Sequence, residues 1–267
     1  MQILADCHSH TENSPDSKAS PASMCKAAID LNLAAFAITD HCEMDAFYKD
    51  SYDKSSAKSV NDILECKKLF PSLNLLCGVE LGQPLFNLEA SNNFVKNNPY
   101  DFILASVHNP KDCQDFAFLQ YTKENVAEIL MSYFKDIYEL VSWGKFDCLA
   151  HLTYPLRYIV GEAGLSIDIS KYVNIIADIF KELIKRDIAL EINTAGLRND
   201  IGVTAPDPAT IKLYRSLGGK LITLGADAHQ PEFVAYGIDK GIQIAKDAGF
   251  DCFYYYKNHK PVAIPIV

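Results

Sequence analysis

This 267-residue sequence has no apolar stretch approaching the roughly 20 residues that a membrane-spanning helix requires. Its amino terminus lacks a basic segment followed by an apolar one, so no secretory leader is expected and a cytoplasmic location is. Close cysteine pairs are missing too. Cys7, Cys25, Cys42, Cys66, Cys77, Cys113, Cys148 and Cys252 are dispersed with no Cys-x-x-Cys spacing, which points away from a disulfide framework and towards free thiols in a reducing compartment. Positive charge is short: 25 Lys and Arg stand against 34 Asp and Glu, a net charge of -9. Nucleic-acid binding by counterion release needs a basic surface, so neither nucleic acid nor membrane is an expected partner. A small phosphorylated ligand stays open, because bound divalent ions can invert the local potential. The chain also has no internal repeat and no low-complexity segment.

What is present is 49% hydrophobic residues, enough to bury one substantial core, and a single domain over residues 1–267 is the expectation. Short apolar runs alternate with helical patterns. Strands are predicted at 3–5, 34–39, 73–81, 101–107, 146–152, 188–193 and 220–226. Helices are predicted at 22–32, where Ser20-Pro21 supplies an N-cap and a first-turn proline, and at 60–70, 123–143, 170–186 and 208–217. Seven strands separated mostly by helices imply a parallel α/β barrel. The aromatic run 252–256 reads equally as an eighth strand, a barrel cap or a helix end.

Two triplets stand out, His8-Ser9-His10 and Asp227-Ala228-His229. In extended chain, residues i and i+2 face the same way, so each triplet is a bidentate metal clamp. Each follows an apolar run, at the strand end where barrels keep their active sites. One His-x-His alone is weak, arising by chance in about one such chain in five or six. However, His41, His108 and His151 also follow strand-like runs, so six of the seven histidines end predicted strands. Core histidines serving only as packing would scatter over helices and loops. His259, within the polar Lys257-Asn258-His259-Lys260, reads as surface. The carboxylates of Asp16, Glu80 and Asp227 join the histidines, and mixed nitrogen and oxygen donors suit zinc, manganese or iron. So many ligands in one barrel mouth suggest more than one ion. Glu80, between the strands leading to His41 and His108, is placed to bridge them, although alone it reads as easily as a buried hydrogen-bonded glutamate.

The segments Asp6-Cys7-His8-Ser9-His10, Thr39-Asp40-His41, Gly78-Val79-Glu80, Ser106-Val107-His108, Ala150-His151 and Asp227-Ala228-His229 together resemble the polymerase and histidinol phosphatase (PHP) metal-dependent phosphoesterases. Length and the Ser-Val-His-Asn segment look most like that family's stand-alone histidinol-phosphate phosphatases. The resemblance implies a distorted TIM-like (β/α)7 barrel with up to three divalent ions at the carboxyl ends of its strands. On this chain it implies His8, His10, Glu80 and Asp227 for the first ion, Glu80, His108 and His151 for the second, and Asp16, His41 and His229 for the third. Three such ions, less three carboxylates and one hydroxide, leave a charge of about +2, matched to a phosphate monoester dianion. The expected reaction is attack on phosphorus by water activated between the first two ions that Glu80 bridges, with Asp227 or His229 serving the leaving group. Arg157 and Arg198, in loops on the same barrel face, are expected to hold phosphate, with Lys111 and Tyr154 as further candidates. Glu43 is the candidate for a substrate ammonium group. Two other readings carry less: a PHP phosphoesterase acting on nucleotides or nucleic-acid ends, and a non-catalytic metal-binding regulatory domain. Amidohydrolases also open with His-x-His, but Glu80 stands here where many of them use a modified lysine.

Overall fold

A computed structural model describes residues 3–267. In chain order the elements are β1 (Ala5–Asp6), α1 (Pro21–Asp30), β2 (Ala35–Ile38), β3 (His41–Glu43), α2 (Tyr52–Leu69), β4 (Leu75–Gly82), α3 (Leu88–Asn97) and β5 (Phe102–Ser106). They continue as α4 (Val126–Trp143), β6 (Cys148–Leu149), α5 (Val173–Lys185), β7 (Ala189–Asn193), α6 (Pro208–Ser216), β8 (Ile222–Gly225), α7 (Ile238–Asp247), β9 (Cys252–Lys257) and β10 (Lys260–Pro265). All seven expected barrel strands form and pair in parallel in the order β1-β2-β4-β5-β6-β7-β8. Their residues are buried throughout, as strands covered by helices outside and by packed side chains inside must be.

Both ends of this sheet meet. The Cys7 amide donates to the Leu224 carbonyl at 2.9 Å, the Asp227 amide to the His8 carbonyl at 2.8 Å, and Ser9 bridges Ala228 in parallel. The buried Asp6 carboxylate fastens this seam by accepting the amides of Ala226 at 2.9 Å and Ala235 at 2.8 Å. The nearly closed barrel therefore brings the two sequence-distant clamps side by side.

Local chemistry explains the helix ends. Ser20 caps α1 by accepting the Ser23 amide, Asp207 caps α6 through the Thr210 amide, and each helix opens on a proline that needs no hydrogen-bond donor. Helix α2 begins eight residues earlier than the apolar pattern predicts. Its first turns are polar, yet Ser56 and Ser59 are buried because the Ser56 hydroxyl donates to the Tyr52 carbonyl and that of Ser59 to the Asp40 carboxylate. The run at 252–256 is strand β9, paired antiparallel with β10 outside the barrel sheet. This hairpin covers the barrel's amino-terminal mouth, where Tyr256 stacks on Phe102 and the Asn258 amide donates to the Asp101 carboxylate at 3.2 Å. Among the described residues, no helix is long and apolar enough to cross a membrane.

Candidate metal centre and active site

Past the end of β1, His8 and His10 are fully buried, and their Nε2 atoms converge to 3.0 Å. Asp227 follows β8 in the left-handed region, φ 53°, which an aspartate tolerates better than most residues. Its Oδ1 lies 3.4 Å from His10 Nε2 and 3.7 Å from His8 Nε2. Glu80, in β4, is the hub. Its Oε2 faces His8 Nε2 at 3.3 Å and His41 Nδ1 at 3.0 Å, while its Oε1 faces His151 Nε2 at 2.8 Å and His108 Nε2 at 3.1 Å. A third group forms at the rim, where Asp16 Oδ2 lies 3.0 Å from His229 Nε2 and 3.5 Å from His41 Nε2. The His10 ring is stacked between those of His41 and His229, 4.2 Å from each.

These separations test whether divalent ions fit. Two donors bound tetrahedrally at about 2.05 Å must lie about 3.3 Å apart, the scale on which these nitrogens and oxygens are gathered. Facing imidazole nitrogens at 3.0 Å in a dry site share one proton at best as a hydrogen bond, whereas a cation satisfies both lone pairs. Four trios of His and acid donors meet the spacing for a common ion: His10–His41–His229, His8–His10–Asp227, His8–Glu80–His151 and His41–Glu43–His108. The donor set therefore fits several divalent ions.

The electrostatics agree. Burial, with the charges of His41 and His229, pushes the His10 imidazolium down to about 3, so that ring is neutral and has a lone pair to offer a cation. Burial alone would raise the Glu80 and Asp227 carboxyls, but His108, His8 and His41 around Glu80, and His8, His10 and His229 around Asp227, hold both well below the carboxylate range. Burial also disfavours charge on His108, yet the Glu43 and Glu80 carboxylates reverse this and carry it up to about 10. The acidic hub thus demands positive charge, from protons or from metal.

The nine residues read as metal ligands all reach this one site. Arg157, Arg198 and Tyr154 line the same cavity of about 450 Å3 as Glu80 and Asp227. The Arg157 guanidinium sits 5.7 Å from the Tyr158 ring centre, whereas Arg198 already donates to the carbonyls of Ala226 at 2.5 Å and Asp227 at 2.6 Å. Tyr154 packs its ring against His108 and His151, and its hydroxyl donates to Asp115 at 3.2 Å. One expectation needs correction. Lys111 opens on a separate cavity with Gln83, Asp136 and Glu139, because the chain turns outward after His108. Glu43 turns inward with His41, its same-face neighbour on β3: Oε1 contacts His108 Nδ1 at 3.0 Å, and the side chain also lines the lobe that holds Asp45.

Sequence reasoning missed the groups that hold the ligands. Ser14 meets His10 Nδ1 at 3.1 Å and donates to Asp40 at 2.9 Å; Asp40 also accepts the Thr11 amide at 2.6 Å. Glu191 of β7 contacts His8 Nδ1 at 2.7 Å. Beside the gathered donors a second lobe of about 600 Å3 shares Asp16, His41, His108 and Tyr154 with the first and adds Glu43, Asp45, Asp50 and Asp115.

Comparison with known proteins matches this geometry. The chain is 28% identical to the histidinol-phosphatase of Lactococcus lactis, covering 92% of this chain and 91% of that one. It is 27% identical to a protein of Thermotoga maritima named probable histidinol-phosphatase, covering 93% and 94%. The crystal structure of L. lactis histidinol phosphate phosphatase in complex with zinc, L-histidinol and phosphate superposes with a TM-score of 0.80 at 25% identity, covering 98% of this chain and all of that one. The family model for the PHP domain matches residues 6–195, from the carboxylate that fastens the barrel seam to the turn after β7. Match, barrel and converging ligands agree: this chain belongs to the PHP domain family.

Proposed function

We propose that this chain is a metal-dependent histidinol-phosphate phosphatase, hydrolysing L-histidinol phosphate to L-histidinol and inorganic phosphate. The observation that carries the reading is the juxtaposition of a cluster of metal donors, an arginine-bearing cavity and an acid-lined lobe that open into one another. His8, His10, Glu80 and Asp227 would hold one ion, Glu80, His108 and His151 a second, and Asp16, His41 and His229 a third. When bound, such ions supply Lewis-acid stabilisation of phosphoryl oxygens and make water acidic enough to act as a nucleophile near neutral pH.

The protein's own groups do the rest. Arg157 offers an unspent guanidinium fork to the phosphate, while Arg198 holds the backbone of Ala226 and Asp227 in place. As the ester P–O bond breaks and water oxygen joins phosphorus, the departing alkoxide needs a proton. Asp227 and His229, with Oδ1 and Nδ1 3.6 Å apart at the cavity wall, are the groups placed to orient a bound water that delivers it. The ammonium end of the substrate lies in the second lobe towards Glu43, Asp45, Asp50 and Asp115. That lobe opposes a nucleic-acid strand by the same charge, which supports a small molecule as the substrate.

The test is a substrate panel on metal-loaded protein. The kcat/KM for L-histidinol phosphate should exceed that for simple alkyl or aryl phosphates by about a hundredfold or more, the scale of a few well-placed polar contacts. Equal or faster hydrolysis of a sugar phosphate or a nucleotide would overturn the substrate and leave a phosphoesterase.

A further inference from the structure

We infer that Glu191 is a positioning residue that fixes the ring orientation and tautomer of His8 and ties together ligands of two different ions. Glu191 is fully buried in β7. One carboxylate oxygen, Oε1, lies 2.7 Å from His8 Nδ1. The other, Oε2, accepts the backbone amide of His151 at 2.8 Å and the side-chain amide of Asn193 at 3.2 Å. Oε2 therefore faces two obligate donors, and a carboxylate has no proton of its own to give Oε1. The contact with His8 closes only if Nδ1 carries the ring proton. His8 Nε2 is then left bare, and Nε2 is the atom that faces His10, Glu80 and Asp227.

The fold makes room for this contact. Glu191 pairs with Thr223 across β7 and β8, and two residues on stands Gly225, where a Cβ would collide with both Glu191 Oε1 and His8 Cβ. Glu191 also links three parts of the barrel: its own strand β7, the histidine after β1 and the amide after β6. A rigid carboxylate behind a ligating imidazole fixes both ring orientation and tautomer. Glutamine could not substitute. With its oxygen kept on the His151 amide, its NH2 would face His8 and require an accepting Nδ1, which moves the proton to Nε2 and blocks ligation. With the amide flipped, NH2 would oppose the His151 amide instead.

This inference rests on the metal-binding reading and not on the identity of the substrate. Zinc-loaded native protein carrying 15N-labelled histidine should show His8 protonated at Nδ1, with a downfield, hydrogen-bonded proton. His8 protonated at Nε2 in protein that holds its ions would overturn the proposal alone, whereas protein holding no ion would overturn the metal reading beneath it. In Glu191→Gln, zinc competition against a chromophoric chelator should show one ion bound about 10- to 100-fold more weakly. The metal-free variant should unfold at the temperature of the metal-free native protein. Native affinity for every ion in a folded Glu191→Gln would refute the inference, and the native spectrum decides even where that variant fails to fold.

Discussion

Arg157 and Arg198 enter one cavity with different duties, and their substitutions should separate. Arg157→Ala removes a guanidinium with no backbone to hold, so it should raise KM and lower kcat/KM about 10- to 100-fold, the worth of one charged hydrogen-bonding group, with bound zinc unchanged. Arg198→Ala releases the carbonyls of Ala226 and Asp227, where the backbone is held in the left-handed region, so it should also lower kcat and weaken one ion. Steady-state kinetics with zinc analysis distinguishes the two; identical profiles would sink the division. The ligands themselves were legible because alternation in extended chain is a strict rule and each triplet announces its direction. The same rule covers His41-Cys42-Glu43, which is a His-x-acid triplet: it turns Glu43 inward onto His108 and onto the wall of the second lobe. Glu191 and Asp40 were illegible because each acts through a partner far along the chain or across the sheet, and Ser14 because it sits in an irregular loop beside His10 with no periodic pattern to give its direction.

Among the elements, the β9–β10 hairpin carries the histidine read as surface. His259 is half-exposed, and its Nδ1 contacts the Asp147 carboxylate at 2.9 Å, just ahead of β6 and at the opposite end of the barrel from the metals. Its hydrogen bond to Asp147 raises the pKa above the ordinary 6.5, burial only partly opposing it. A histidine raised on folding stabilises fully below its unfolded pKa and loses that contribution as pH climbs through the folded value. His259→Ala should therefore leave turnover intact and lower the unfolding temperature by about 1 to 3 °C at pH 6, little for so exposed a pair. The gap between native and variant should shrink towards pH 9; a gap that widened with pH would contradict the pairing. The strands of the barrel were readable as apolar runs, but β3 is only three residues long, and α3 and α7 are ten-residue helices with no N-terminal side-chain cap to mark their start, so none of the three was picked out. The hairpin was ambiguous because β9 alternates only loosely between buried and exposed positions.

At the scale of the whole molecule, nine donors gathered round one hub are too many for a single ion. Purified metal-replete protein should hold two to three equivalents of zinc, manganese or iron. Chelation should lower its unfolding temperature by several degrees, since a ligand bound at 1,000 times its Kd contributes about 4 kcal/mol. Elemental analysis showing one ion or none would refute the multinuclear site. The parallel barrel was legible from the alternation of strand and helix, whereas its closure depends on the Asp6 carboxylate reaching amides that arrive some 220 residues later. That seam has a temporal side. A ribosome adding 5–20 residues each second takes about 10–45 s to travel from Asp6 to Asp227. Throughout that interval His8 and His10 exist without the carboxylate that faces them across the seam and without the last strand that dries their pocket. Full metal loading is thus a closing act of biogenesis: a nascent chain stopped before β8 is exposed to the cell's metal ions with its clamp half built.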